Sequence, residues 1–212
     1  PVESLNIIPR FLTKGQWIQE KVSKTQIVLH HSVSSSVDSI ISSWNSTKDR
    51  VGTAYSIDKD GTIYQHFPDD EWGYHLYVDA SSNKVDKKYK LRDKILNQQS
   101  IGIELVSMGG LIKKGGKWYT IYNTTIPEEN VEQINYRGFK GFDKYTLPQL
   151  DSARILIKHL SEKYSIPINP LTFNISLEAL TSKPGLYTHS NFRTDKSDCY
   201  PSVDLQKQTT EK

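Results

Sequence analysis

Short apolar runs along the chain predict buried strands. Gln26–His31 and Ser100–Val106 are rich in β-branched residues and have the length of single strands that are covered on both faces. Within residues 54–65, two alternating runs flank an Asp-Gly pair, which favours the positive φ of a tight turn and predicts a β-hairpin. A further short strand is predicted at Leu186–His189.

Helical spacing of apolar residues predicts two helices. The first places its apolar residues at i, i+3, i+4 and i+7, which are Val37, Ile40, Ile41 and Trp44. Ser35 and Asp38 have the spacing of a capping box at its start. The second helix begins after Thr146, with Gln149 as the reciprocal partner of this N-cap residue.

The alternation of strands and helices predicts an α/β or mixed α+β class, with a single domain and one mixed central β-sheet flanked by helices. The domain boundaries that we expect are an N-terminal arm at 1–24, the folded domain at 25–206 and a polar tail at 207–212. Residues 79–99 are rich in Lys, Asp, Asn and Ser and predict a solvated loop. Lys117–Tyr122 predicts a strand, whereas the rest of 123–145 has no clear pattern.

Composition narrows the function classes. The 212 residues carry 27 Lys and Arg against 24 Asp and Glu, a net charge of +3, which is too mild to indicate a nucleic-acid partner. The single cysteine excludes an internal disulfide and a zinc site made of cysteines alone. No apolar run approaches the roughly 18 residues of a membrane span, and we expect no signal peptide in residues 1–24.

Several residues could carry chemistry. His30 and His31 end one buried strand, and His189 ends another, ten residues before Cys199. Imidazole and thiolate are good zinc ligands, and a catalytic zinc uses about three protein ligands and a water. The plainer alternatives are hydrogen-bonded histidines near a sheet edge and a small buried cysteine.

Two charged residues stand near these candidates. Glu104 lies inside a strand of Ile, Leu and Val, so it either faces solvent or is compensated by a charge, and beside a metal-bound water it could act as general base. Lys196 precedes Cys199 by three residues and is either a solvated charge or close enough to stabilise an oxyanion. His75 is a candidate substrate contact.

In their order along the chain, six segments between about Lys24 and Leu205 resemble one family. They are similar to the zinc-dependent N-acetylmuramoyl-L-alanine amidases, the amidase type 2 group that includes phage lysozymes, AmpD and AmiD enzymes and peptidoglycan-recognition proteins. The segments are Ile27–Ser32, Tyr55–Gln65, Trp72–His75, Ser100–Glu104, Tyr145–Gln149 and His189–Leu205 with its Lys196 and Cys199.

The resemblance implies zinc (Zn²⁺) as cofactor, with His30 and His189 as two ligands. It favours Cys199 as the third, because the following Pro-Ser-Val-Asp-Leu is similar to the phage lysozyme. Tyr200 interrupts that match, and Asp198 in Lys-Ser-Asp resembles the third ligand of other members, so it is the rival ligand.

For catalysis the resemblance implies Glu104 as the base, since Thr53 stands where some members have a tyrosine, and Lys196 as the oxyanion partner. The implied substrate contacts are His75, Trp72, Tyr74 and Tyr55. Compared with compact members of the family, this chain is longer at 107–145, and the resemblance implies that this region could shape the substrate groove.

The implied activity is hydrolysis of the amide between the lactyl group of N-acetylmuramic acid and L-alanine of the stem peptide. We expect a monomeric phage endolysin that acts on bacterial peptidoglycan, held in the host cytoplasm before lysis. The alternatives are a bacterial cell-wall recycling or remodelling amidase, a non-catalytic peptidoglycan-binding module of the same fold, and a Cys–His hydrolase with Cys199 as nucleophile.

Overall fold

The computed structural model describes residues 5–210. Its strands are β1 (Ile7–Pro9), β2 (Gln26–His31), β3 (Tyr55–Ile57), β4 (Ile63–Gln65), β5 (Ser100–Leu105), β6 (Gly110–Lys114), β7 (Lys117–Tyr119), β8 (Thr125–Ile126), β9 (Val131–Tyr136), β10 (Phe139–Asp143) and β11 (Gly185–Thr188). Its α-helices are α1 (Val37–Asn45), α2 (Lys87–Lys90), α3 (Asp93–Gln99), α4 (Leu147–Tyr164), α5 (Leu177–Leu180) and α6 (Val203–Thr210).

The central sheet has six strands in the order β1-β4-β3-β5-β2-β11. It is mixed, since the β3–β4 hairpin is antiparallel and the other pairs are parallel. Ile27 and Leu29 of β2 belong to one core cluster with residues of α4, whereas Val28 belongs to another with residues of α3 and α5. Alternate side chains of β2 therefore enter opposite layers, and this confirms the predicted sheet covered by helices.

A second sheet includes the strand predicted at Lys117–Tyr122, which is confirmed in part as β7, and occupies the region that had no clear pattern. Five antiparallel strands run in the order β8-β7-β6-β10-β9 over the segment from 110 to 143. Leu111, Trp118 and Val131 form a small core of their own. Gly141 permits this packing, because a Cβ built there would lie 2.7 Å from the ring of Trp118. The longer region at 107–145 is thus a folded layer and not an extended loop.

Two local predictions are wrong. The segment 79–99 is not wholly a loop, because α2 and α3 form in it and bury Leu96 and Asn97. The tail after Leu205, whose polar composition predicts a frayed end, is instead helical: α6 continues to Thr210 and buries Thr209, while 211–212 lie outside the described residues. In both segments a few buried side chains outweigh a polar composition.

The helix starts were predicted with mixed success. Thr146 and Gln149 form the expected capping box at the start of α4. At α1 the N-cap is Ser36 and not Ser35, because the Ser36 hydroxyl accepts from the amide of Ser39. Within the expected N-terminal arm, β1 adds a parallel edge strand beside β4.

Among the described residues, none of the helices combines the length and the apolar character needed to cross a bilayer.

Candidate metal centre

Two histidines meet at the carboxyl edge of the central sheet. In the parallel pair β2–β11, Leu29 lies opposite Thr188, so the next residues, His30 and His189, stand side by side where the strands end. Asp198 joins them from the following loop, with its Oδ2 3.2 Å from His30 Nδ1 and 3.0 Å from His189 Nδ1. All three are buried and their ligand-type atoms lie within 4.8 Å of one another. This group is a candidate metal site.

The outward hydrogen bond of His189 determines which of its nitrogens carries the proton. Its Nε2 lies 2.8 Å from the carbonyl oxygen of Leu76. A carbonyl only accepts, so Nε2 carries the hydrogen and Nδ1 of the neutral ring has a free lone pair. That lone pair faces Asp198.

A chain of hydrogen bonds determines which nitrogen of His30 carries the proton. The Ser100 hydroxyl donates to the carbonyl of Leu96 at 2.7 Å, so it accepts from His75 Nε2 at 2.8 Å. His75 Nδ1 therefore accepts from His30 Nε2, also at 2.8 Å. His30 Nδ1 is left with a free lone pair, which faces Asp198 as well. Three buried groups thus fix the tautomer of one candidate ligand.

Two nitrogen lone pairs and one carboxylate consequently converge on the same point. Burial would raise the pKa of Asp198, but positive charge at the neighbouring His189, and then at His30, holds that pKa well below its usual value, so a cation at this point favours the ionised carboxylate. Burial, and then the neighbouring His189, lower the pKa of His30 to about 4. At neutral pH, Asp198 is therefore ionised and His30 neutral, which are the forms that bind a metal. Two imidazoles and one carboxylate are a donor set that suits zinc in a three-ligand, open site.

Cys199, which the resemblance favours as third ligand, lies outside this cluster. Its side chain is fully buried in the main core with Tyr145 and Tyr200. Burial raises the pKa of the Cys199 thiol well above its usual value, so the thiol is not prepared to act as a nucleophile. The structure instead brings the rival, Asp198, to the two histidines.

Glu104 stands beside the cluster. It lies opposite His30 in the register of β5 and β2, which places both side chains on the same side of the sheet. Burial, and then the charge of Asp198, raise the pKa of Glu104 well above its usual value. The side chain is 8% exposed and lines the groove above the cluster, so the carboxyl can exchange a proton with a molecule bound there.

Lys196 comes from the same loop as Asp198 and also lines that groove. Its positive charge partly opposes the rise in the pKa of Glu104 that burial and Asp198 produce, and it adds to the lowering of the pKa of His30 by burial and His189. The ammonium group is thus near enough to act electrostatically on the space above the cluster.

The groove has a volume of about 800 Å³ and reaches beyond the cluster to three other parts of the fold. Its walls include residues of α1, the segment 32–35 and Ile121, Tyr122 and Phe139 of the second-sheet region. Ile121 and Tyr122 are 53% and 64% exposed. Sequence reasoning missed these wall residues, because it assigned Lys117–Tyr122 to a single strand, whereas β7 ends at Tyr119.

Of the four residues expected to contact substrate, only His75 lines the groove. Both of its ring nitrogens are engaged in the chain of hydrogen bonds described above. Tyr55 is buried and donates to Asp69 at 2.7 Å, and Trp72 is buried 5.2 Å from the half-buried ring of Tyr74. Tyr55, Trp72 and Tyr74 do not line the groove. Their aromatic character reflects packing.

Together the fold and the site define a class: an α/β domain with a candidate single-metal centre at the carboxyl edge of its central sheet. Residues 20–201 match the N-acetylmuramoyl-L-alanine amidase family. The chain belongs to this family and is a peptidoglycan amidase. No curated protein matches it.

Solved structures share the fold at low sequence identity. The N-acetylmuramoyl-L-alanine amidase LysC from Clostridium intestinale URNW is 18% identical, with a TM-score of 0.51, over 99% of this chain and 100% of that one. A mutant endolysin from Bacillus subtilis is 16% identical, with a TM-score of 0.51, over 97% of both chains. PlyL is 12% identical, with a TM-score of 0.52, over 96% of both chains.

Proposed function

We propose that one zinc ion binds His30, His189 and Asp198, and that the chain there hydrolyses the amide between N-acetylmuramic acid and L-alanine of the stem peptide. The observation that carries this proposal is the convergence of two imidazole lone pairs and an ionised carboxylate on one point. Such an arrangement is repulsive unless a cation or a proton lies between the groups. When bound, zinc supplies Lewis acidity and lowers the pKa of a bound water toward about 7.

Glu104 is the proposed general base. Its carboxyl lies on the same side of the sheet as His30 and opens onto the groove, where it can take a proton from the attacking water. The same carboxyl then returns that proton to the amine of the departing L-alanine. A raised pKa favours both steps, because the group must accept and release one proton near the working pH.

Lys196 is the proposed oxyanion partner. Its ammonium group lines the groove and lies two residues before Asp198 in the chain. A fixed positive charge near the scissile carbonyl stabilises the negative charge that develops on its oxygen. This interaction is absent from the ground state, so we expect it to act on kcat more than on substrate binding.

The groove is the proposed path of the peptidoglycan substrate. Its second-sheet wall presents Tyr122 to solvent at the rim, and the hydroxyl groups of Thr120 and Thr124 lie 2.7 Å apart and hold the turn that carries it. Aromatic faces pack well against the apolar faces of sugar rings or peptide side chains. We propose that Tyr122 contributes substrate affinity there.

For the biological role we propose a phage endolysin that reaches the cell wall at lysis and works as a monomer. Support comes from the solved structures that share the fold, which include an N-acetylmuramoyl-L-alanine amidase and an endolysin. A bacterial remodelling amidase would use the same site. Assays on whole cells separate the two roles: an endolysin lyses a host culture when it is produced together with a membrane-permeabilising protein, whereas a remodelling enzyme leaves the culture intact.

The activity itself is tested by product analysis. Purified peptidoglycan is digested with the zinc-loaded protein and the products are analysed by mass spectrometry. We expect stem peptides with a free amino-terminal L-alanine and glycan chains without new reducing ends. New reducing ends, or cuts inside the peptide, would contradict the proposal, and the Glu104→Gln variant serves as the matched inactive control.

A further inference from the structure

Arg137 occupies a conformation that is unusual for its residue type. It lies with Gly138 in the two-residue turn between β9 and β10, and the φ angles of the two residues are 44° and 88°. Turns with two positive φ angles favour Asn, Asp and Gly, so an arginine at the first position is disfavoured by the backbone. The side chain of this arginine makes contacts that a turn residue does not need.

The guanidinium group donates to three backbone carbonyls. Its Nη1 donates to the carbonyls of Arg193 and Lys196, and its Nη2 donates to that of Ser190 at 3.0 Å. The three acceptors are spaced three residues apart along one segment. We name residues 189–198 the ligand loop, because this segment contains His189 and Asp198.

The ligand loop has a second attachment on another side. The amide of Thr194 donates to the Asn83 side chain at 3.0 Å, and the Ser82 hydroxyl donates to Asp195 at 2.5 Å. The ends of the loop are joined by the Ser190 amide, which donates to the Asp198 carbonyl at 2.9 Å. These bonds hold Thr194 and Asp195 and the two ends of the loop, whereas Arg137 holds the carbonyls of Ser190, Arg193 and Lys196.

We propose that Arg137 is a positioning residue for the metal centre: it holds the ligand loop so that His189 and Asp198 meet His30, and so that Lys196 faces the groove. The inference rests on the proposed zinc site. It makes the second sheet a working part of the active site, since the turn that carries Arg137 belongs to that sheet.

Arginine suits this position better than lysine. The guanidinium is a planar fork with five donors, and it reaches three carbonyls at once without losing its charge. A lysine of similar length is a point charge with a flexible stem, so it can satisfy fewer of these acceptors in a fixed arrangement. We therefore expect Arg137→Lys to recover only part of the function that Arg137→Met loses.

The test measures zinc affinity, a readout that does not depend on turnover. Metal-free wild type, Arg137→Met and Arg137→Lys are titrated with zinc against a competing chelator. Lys140→Met is the matched control, because it removes an exposed positive charge from the same hairpin. We expect zinc affinity to fall about 10- to 100-fold in Arg137→Met, as for other groups that orient metal ligands, less in Arg137→Lys, and within twofold in Lys140→Met.

Arg137→Met could bind zinc weakly because it is partly unfolded, and hydrogen exchange distinguishes such unfolding from a local change in the ligand loop. In metal-free Arg137→Lys we expect the Ser190 amide to exchange faster than in wild type while amides of α4 remain protected. Wild-type zinc affinity in Arg137→Met, or uniform loss of protection across α4 and the ligand loop, would overturn the inference. A wild type that binds no zinc would instead refute the proposed metal site.

Discussion

Asp198 and Cys199 are adjacent in the chain but lie in different surroundings, Asp198 beside the two histidines and Cys199 in the core, and substituting each one tests the proposed roles. Asp198→Asn keeps the shape of the side chain but replaces the ionised carboxylate that faces His30 and His189. Cys199→Ala removes a sulfur that is fully buried in the core and outside the candidate metal site. We expect the first change to release zinc and the second to retain it.

The two substitutions are expected to change different quantities: Cys199→Ala lowers the free energy of unfolding, whereas Asp198→Asn lowers the affinity for zinc. Cys199→Ala deletes one buried atom of about methylene size, so transfer and cavity terms together cost about 1–2 kcal/mol of unfolding free energy. For a domain of this size that corresponds to a fall in Tm of about 3–6 °C. Asp198→Asn removes one of three ligands and the only negative one, so we expect zinc affinity to fall by at least about 100-fold.

The assay is elemental analysis after dialysis against a weak chelator, paired with thermal denaturation of the metal-free proteins. We expect about one zinc ion per chain in Cys199→Ala and less than about one tenth of a zinc ion per chain in Asp198→Asn. The opposite result, with zinc lost from Cys199→Ala and kept by Asp198→Asn, would refute the assignment and make the thiolate the third ligand.

Four further predictions follow from the same geometry. Glu104→Gln lowers kcat by about 100-fold or more and keeps zinc, because it removes only the proton acceptor; the pH profile of the variant loses the acid limb that the raised pKa of the Glu104 carboxyl gives wild type. Ser100→Ala removes the acceptor that fixes the tautomer of His75, so zinc affinity measured by competition falls about 10-fold while the fold is retained. His66 is buried and burial lowers its pKa from 6.5 to about 4. Because the folded state favours the neutral ring, His66 contributes about 3 kcal/mol to the free energy of unfolding. This contribution is fully present above about pH 6.5 and is lost as the pH falls to about 4. In denaturant titrations we therefore expect the stability difference between wild type and His66→Leu to shrink over that pH range. Tyr122→Ala raises KM for peptidoglycan several-fold with little change in kcat, whereas Leu177→Ala, an exposed residue outside the groove, changes neither.

The strands that carry the candidate site could be predicted because their apolar runs are short and end in polar residues. His30 follows the apolar run Ile27–Leu29 and His189 follows the strand Gly185–Thr188, and parallel strands bring such ends to one edge of a sheet. Glu104 could be identified for a similar reason, as the one acid inside an apolar strand. The capping box at the start of α4 could be predicted because its two partners, Thr146 and Gln149, are only three residues apart in the sequence.

The second sheet could not be predicted, because its strands are polar and depend on distant partners. Strand β9 reads Val-Glu-Gln-Ile-Asn-Tyr, and its pairing with β10 buries mainly Val131. Arg137 is not a favoured residue of a tight turn, so the hairpin between these strands lacks the usual sequence signal. The contact of Arg137 with the ligand loop arises only in the folded chain.

The third ligand could not be decided from spacing, because the two candidates are neighbours in the chain. What separates them is packing: the core formed with Tyr145 and Tyr200 takes up Cys199, while Asp198 lies against the histidines. The resemblance implied His75 as a substrate contact, whereas in the folded chain its ring nitrogens are hydrogen-bonded to Ser100 and to His30.

The central claim is that one zinc at His30, His189 and Asp198 carries out the amide hydrolysis. The most direct test is to titrate the metal-free protein with zinc while measuring the release of amino-terminal L-alanine from peptidoglycan. We expect almost no release of amino-terminal L-alanine without zinc, and a linear rise in this release that stops at one equivalent of zinc per chain. Full release from the metal-free protein, or a rise that continues to two equivalents, would contradict it.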